Sequence, residues 1–370
     1  MGFLRFLVRF VFWLLALIGV GVVAMVVIGF VFFDRLAAPR VKIPDQAVLT
    51  IDLGKGLAKD HVKLPFAPVG RPTVEDIVLG LQQAATDDRV KGAMLKLGRG
   101  PLDMAEAQEI RDAVAGFRAS KKPVQAFAES FGEGGDGTIH YYVAASADKI
   151  YLQPSADVSL MGFMLEQPFM KGALDWLGVQ ARVSKRKEFK GAPDLFTETA
   201  MPAPLRQNLQ QLTDSWLAQV VDGVAADRKK DAAAVRAWID HAPWNAADAK
   251  KEGMVDELGY WDQAAEVTYG VAGEDASVDI ADYAAQIPEP SGVPPRFAVI
   301  RGNGPVTLGD SESNPFGNST SLGSDTIVQA FSDAIDDRVR AIIFRIDSPG
   351  GSYVAADAIW REVARAREHG

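Results

Sequence analysis

The sequence predicts an α/β protein in which a parallel sheet with flanking helices is built twice, behind one transmembrane helix. Three observations predict it. An apolar run, Ala341 to Ile346, broken only by Arg345, follows the polar turn Asp336-Asp337-Arg338 and stops at Ser348-Pro349-Gly350-Gly351, the pattern of a buried parallel strand ending in an exposed loop. The stretch occurs once before, 249 positions upstream, as Asp87-Asp88-Arg89-Val90-Lys91-Gly92-Ala93-Met94-Leu95-Lys96-Leu97. At that offset Asp76 meets Asp325, Ile110 meets Ile359, and Val48 to Ile51 meets Phe297 to Ile300, so the chain holds two copies of one unit. Strand and helix patterns alternate along the first copy, which argues a parallel sheet with crossover helices.

Residues 1–9 are read as a cytoplasmic N-terminus carrying Arg5 and Arg9. Phe10 through Phe33 hold no charge and no proline, enough helix to cross a hydrocarbon core about 30 Å thick. The run is too long and lacks the small-residue cleavage site of a removable leader, so residues 10–33 are expected to be an uncleaved signal anchor. Arg35, Arg40 and Lys42 on the far side blur the positive-inside comparison. Residues 34–46 form a tether with Pro39 and Pro44.

The first domain is expected over 47–270. It runs as strand 47–53, helix 73–86, strand 90–97, helix 103–119, strand 123–128, a helix through Ala147, and a short strand Lys149 to Leu152. A helical arm follows from Ala203 to about Val224, with Leu205, Leu209, Leu212, Trp216 and Val220 on one face. Asn245 to Glu252 reads as a helix stopped by Gly253. The charged, proline-bearing stretch 271–295 reads as a linker, and 296–370 as the start of a second domain that stops before its sheet is complete. Its polar segment from Gly302 to Ser324 has the composition of a lid.

Composition removes several classes of function. A formal charge of -9 and a pI near 5.1 give no electrostatic reason to expect nucleic acid. With no cysteine there is no disulfide, zinc thiolate or thiol nucleophile, and no metal or cofactor site is indicated. His61, His140, His241 and His369 are scattered and no G-x-S-x-G elbow exists, so a histidine-based triad is not expected. Gly132-Glu133-Gly134-Gly135-Asp136-Gly137 fits G-x-G-x-x-G, yet it follows the third strand, and Glu133 and Asp136 would repel a pyrophosphate. It is read as a loop capping the next helix.

Two stretches carry chemistry. Gly350 and Gly351 let the backbone turn sharply at a strand's carboxyl end, where N–H groups can face an oxyanion. Ser348 and Ser352 flank them, and Ser352 is read as a helix cap rather than a nucleophile. In the first copy this turn is Gly98-Arg99-Gly100-Pro101, without the paired glycines. Four cations, Lys185, Arg186, Lys187 and Lys190, lie within six positions, ordinarily a solvated surface. Lys190 differs in its neighbours Phe189, Leu195 and Phe196, among which an amine would lose hydration and be held neutral, as a lysine general base requires.

Tyr141 to Leu152, Lys190-Gly-Ala-Pro-Asp-Leu-Phe196 with Met201 after it, Ala249 to Asp256, and Asp347-Ser-Pro-Gly-Gly-Ser352 together resemble the S49 peptidases of the long, duplicated signal peptide peptidase A type. The resemblance covers residues 47–370 and implies tandem ClpP/crotonase-like domains. It implies a membrane-bound serine endopeptidase of the bacterial inner membrane, its catalytic part in the periplasm, degrading remnant signal peptides with a Ser-Lys dyad and assembling as a homo-oligomer, a tetramer by resemblance. Lys190 then aligns with the general-base lysine, and Gly350 and Gly351 with the loop giving a backbone N–H to the oxyanion hole. Membrane lipid through the N-terminal helix and peptide substrates are the implied partners, with no nucleic acid and no cofactor.

The nucleophile is the departure. Matching Tyr141 to the family's tyrosine puts Thr138 at the serine's position in copy one, and its counterpart falls 17 residues past Gly370. The sequence is therefore expected to be a fragment without its nucleophile and inactive alone. Two rivals remain at this stage. One is a crotonase-type acyl-CoA enzyme; the other is a non-catalytic membrane scaffold assembling through the arm at 203–224.

Overall fold

The computed structural model describes Trp13, residues 18–22, Met25 and residues 41–59, 70–270, 276–287, 297–312 and 320–369. The expected anchor, 10–33, lies outside the described residues except at those seven positions, which are helical. Among the described residues no helix is long and apolar enough to cross a membrane. The chain divides into a larger unit, 40–58 with 69–287, and a smaller one that includes 59–68 and 288–370.

The larger unit opens with β1 (Ala47–Asp52), α1 (Val74–Thr86), β2 (Val90–Leu97), α2 (Met104–Ala119), β3 (Val124–Ala128), α3 (Thr138–Ala145) and β4 (Lys149–Leu152). It continues through β5 (Asp157–Val158), α4 (Lys171–Trp176), α5 (Asp194–Thr197), α6 (Ala203–Arg228) and α7 (Ala232–His241). It ends with β6 (Trp244–Asn245), α8 (Ala246–Glu252), β7 (Glu257–Leu258), α9 (Trp261–Tyr269), β8 (Ser277–Asp279) and α10 (Ile280–Ala284). Six strands form one sheet in the order β7-β4-β3-β2-β1-β8, every pair parallel.

Local chemistry sets the helix ends. Thr73 caps α1 in a reciprocal box, its hydroxyl accepting from Asp76 N at 3.1 Å while the Asp76 carboxylate accepts from Thr73 N at 2.8 Å. Gly253 ends α8 in the left-handed region, φ 80°, as its position after Glu252 predicts. Strand side chains alternate between two buried faces. Leu49, Ile51, Leu95, Ala126 and Ile150 enter the main core, whereas Val48, Met94, Phe127 and Tyr151 meet Ala264 and Ala265 of α9.

Residues 276–287 correct the expected linker. β8 pairs with the outer side of β1, and Ile280, Ala281 and Tyr283 of α10 are buried. The stretch is short and interrupted by charge, so its apolar content read as connector, but three residues suffice to extend an existing parallel edge.

The smaller unit holds β9 (Phe297–Asn303), β10 (Val306–Thr307), β11 (Leu322–Gly323), α11 (Ser324–Asp336), β12 (Ala341–Asp347) and α12 (Tyr353–Glu368). β9 and β12 pair parallel with Phe297 opposite Ala341, the register of Val48 opposite Gly92 displaced by 249 at both positions. α12 likewise repeats α2 at that displacement, 353–368 against 104–119. Part of the expected lid is ordered, since β10 and β11 pair in parallel; residues 313–319 lie outside the described residues.

Burial departs from expectation in this unit. Ile343 and Ile346 of β12 are 57% and 59% exposed, whereas their counterparts Met94 and Leu97 in β2 are at most 2% exposed. The cause is neighbours: β2 lies between β1 and β3, but among the described residues β12 pairs with β9 alone.

Candidate active site

The loop after β12 is built on one close backbone approach. Val306 N donates to Gly350 O at 3.0 Å and Ser352 N donates to Val306 O at 2.9 Å, which brackets Gly351 in a parallel bridge. In that pattern the N–H of Gly351 itself points away from β10. A Cβ on Gly351 would stand 2.2 Å from Val306 O, so only glycine fits. Gly350 has φ 98° and donates its N–H to Ser348 Oγ at 3.1 Å. Ser352 Oγ accepts from Ala355 N at 3.3 Å and caps α12, as the sequence predicts.

Lys190 lies in the larger unit, in the loop between α4 and α5, and its side chain is exposed. This corrects the expectation of a desolvated amine. The flanking aromatics do not close over it: Phe189 is 51% and Phe196 41% exposed. The backbone around it is nevertheless well held. Asp194 N donates to Gly191 O at 3.0 Å and Met170 N to Leu195 O at 2.7 Å, while Gly191 faces Leu205 of α6 so closely that a Cβ would come within 2.9 Å. Lys190 and the glycine pair belong to different units.

Thr138, at the position matched to the serine in copy one, opens α3 and is fully buried. Its hydroxyl donates to Asp136 Oδ1 and accepts from the N–H groups of Met161 (3.1 Å) and Gly162 (3.0 Å). Every hydrogen-bonding capacity of that oxygen is engaged, so it is a brace rather than a nucleophile. The turn Gly132 to Gly137 runs between β3 and α3, and Asp136 Oδ1 also accepts from Thr138 N at 2.9 Å.

Sequence reasoning missed two residues here. His140, buried, accepts from Gly98 N at 3.3 Å and donates to Gly100 O at 2.9 Å, so it fixes the copy-one turn that stands where copy two has its paired glycines. Burial lowers its proton affinity, partly offset by the Gly100 carbonyl, and keeps the ring in the neutral form this arrangement needs. A lone histidine carries no spacing signal that would have shown this. Asp194 is the other: it is completely buried, with nothing in its sequence context to separate it from a surface acid.

Arg111, Arg118, Tyr142 and Asp227 line a polar pocket of about 400 Å³ beside α2, α3 and α6. Its cations are already committed, Arg111 to Asp227 at 2.7 Å and Arg118 to Asp148 and the Ser146 carbonyl at 2.8 and 2.7 Å. No anion site is left there.

Residues 116–272 match the family model described as Peptidase family S49. The chain is 28% identical over 316 residues to Protease 4 of Haemophilus influenzae, covering 80% of this chain and 49% of that protein. It is 30% identical over 326 residues to Protease 4 of Salmonella typhi, covering 80% and 48%. Over about 80% of its length the chain is a homologue of these peptidase family S49 proteins. A plant relative, the chloroplastic serine protease SPPA of Arabidopsis thaliana, is 24% identical over 345 residues, covering 88% of this chain and 48% of its own length. The chain spans about half the length of the curated relatives it matches. The S49 span contains the Lys190 loop, Thr138 and His140, and ends before the glycine pair.

Proposed function

We propose that this chain is part of a membrane-associated serine endopeptidase that degrades cleaved signal peptides with a Ser-Lys dyad. The observation that carries the reading is the S49 match over 116–272, which includes the held loop bearing Lys190. In this reading the Lys190 amine takes the proton of a serine hydroxyl, the alkoxide attacks a peptide carbonyl, the C–N bond breaks as Lys190 returns the proton to the leaving amine, and water later hydrolyses the acyl ester. Gly351 supports the oxyanion role because its N–H is turned away from β10; the Gly350 N–H is occupied by Ser348. No serine among residues 1–370 is assigned as the nucleophile, and purified residues 1–370 are expected to hydrolyse no peptide.

The two copies are proposed to be tandem ClpP/crotonase-like domains, with β9, α11, β12 and α12 repeating β1, α1, β2 and α2. The recurrence of register and helix bounds at 249 positions supports this. Residues 10–33 are proposed to hold the protein in the bacterial inner membrane with the catalytic part in the periplasm; Trp13, Val20 and Met25, each at least 70% exposed, suit a lipid surround. A homo-oligomer is supported by α4, which buries no residue and leaves Trp176 84% and Leu177 63% exposed.

Fluorophosphonate labelling tests the division of labour. Purified residues 1–370 should take the label on no serine. A labelled serine within 1–370 would sink the reading.

A further inference from the structure

The buried acid four residues beyond Lys190 is not explained by the reaction as proposed. Asp194 is 0% exposed, its Oδ1 lies 2.6 Å from Lys185 Nζ, and its Oδ2 has no hydrogen-bond partner among the described residues. Taking a carboxylate out of water with one oxygen unsatisfied is costly, so a single ion pair to a side chain 33% exposed is its whole compensation. The pair bridges the loop from 185 to 194, and Lys190 sits inside the bridged span. Within it Lys187 has φ 63°, a left-handed conformation that costs a non-glycine residue about 1 kcal/mol and persists only where the surroundings impose it.

We propose that Lys185 and Asp194 form a charge-neutral clasp that positions the turn bearing Lys190 and keeps the Asp194 carboxylate from capturing the Lys190 amine. Both are positioning residues, acting through Lys190. The turn of Gly191 to Asp194, closed by its own 3.0 Å hydrogen bond, folds the chain back so that the Lys190 and Asp194 side chains start from the same short loop. An unpaired buried carboxylate there would draw the Lys190 amine into an ion pair and away from the hydroxyl. With Lys185 already on Asp194, the amine is left for the hydroxyl. The role in catalysis rests on the peptidase reading; the clasp itself does not.

Other charges lie near the pair along the chain. Arg182, Arg186, Lys187 and Glu188 share the loop, Glu198 follows α5, and Arg206 lies in the first turn of α6. On α4, Lys171 and Asp175 are paired with each other at 2.5 Å. All are kept constant in the test.

The test is competitive acetic anhydride labelling of residues 1–370 at pH 9, with Lys190 acetylation read by mass spectrometry against exposed Lys251. It needs no peptidase activity, so its failure is separate from failure of the functional reading. Lys185→Gln should slow Lys190 labelling roughly tenfold, the effect of one opposite charge brought within contact of an amine. Lys185→Arg should keep the native rate, and Lys185→Gln combined with Asp194→Asn should restore it, because no carboxylate then remains to pair. An unchanged rate in Lys185→Gln would overturn the clasp, since the freed Asp194 carboxylate would then not reach the Lys190 amine. A double variant as slow as the single would overturn it too, because the effect would be one of lost structure rather than charge.

Discussion

Gly350 and Gly351 differ in what a methyl group would do at each. At Gly350 the space is open and only φ resists, whereas at Gly351 a Cβ meets the Val306 carbonyl. Gly351→Ala should therefore break the bridge to β10 at a cost of about 1–3 kcal/mol, with faster amide exchange at Val306 and Ser352. Gly350→Ala should cost about 1 kcal/mol and leave those two amides protected. Equal exchange in both variants would contradict the bridge. The sequence shows that paired glycines end a strand, and even that Ser352 caps the next helix, because both signals are local. It does not show which glycine is sterically obligatory, since that depends on β10 over forty residues away. Lys190 teaches the converse: apolar neighbours in sequence need not enclose a side chain whose loop stands on the surface.

At the level of elements, β8 and α10 show how a short segment is tied down. Tyr283 of α10 donates to Asp87 Oδ2 at 3.0 Å, and Asp87 also takes the Arg89 guanidinium at 2.7 Å. Hydrogen bonding from Arg89, more than the one from Tyr283, lowers the Asp87 carboxyl to about 2. Its folded value lies below the ordinary value of 3.8, so this stabilisation is present above pH 3.8 and is lost as pH falls through about 2. Tyr283→Phe should cost about 1 kcal/mol near neutral pH, and the penalty should shrink as Asp87 protonates. Urea unfolding of both proteins at pH 7 and pH 1.5 checks this; the same penalty at both would show that Tyr283 acts through packing alone. The strands and helices from 47 to 152 were legible because caps and apolar runs agree there. Residues 276–287 were not, because a three-residue strand draws its stability from the edge it joins.

For the whole molecule, the 249-residue repeat was legible as sequence and reappears as register, but its consequences for burial were not. Corresponding strands of the two copies become a core strand or an exposed one according to how many neighbours they have. The exposed apolar side chains of α4 make a second statement at this scale. If they are covered by another copy, Trp176→Glu should lower the mass measured by light scattering toward one chain, and an unchanged mass would remove α4 from any interface.

The central claim is that Lys190 activates a serine. Turnover of a synthetic signal peptide by membranes from cells carrying the native gene, compared with the same gene encoding Lys190→Ala, tests it most directly. The account predicts a loss of about 10²- to 10⁴-fold in rate. Undiminished cleavage by the alanine variant would contradict it.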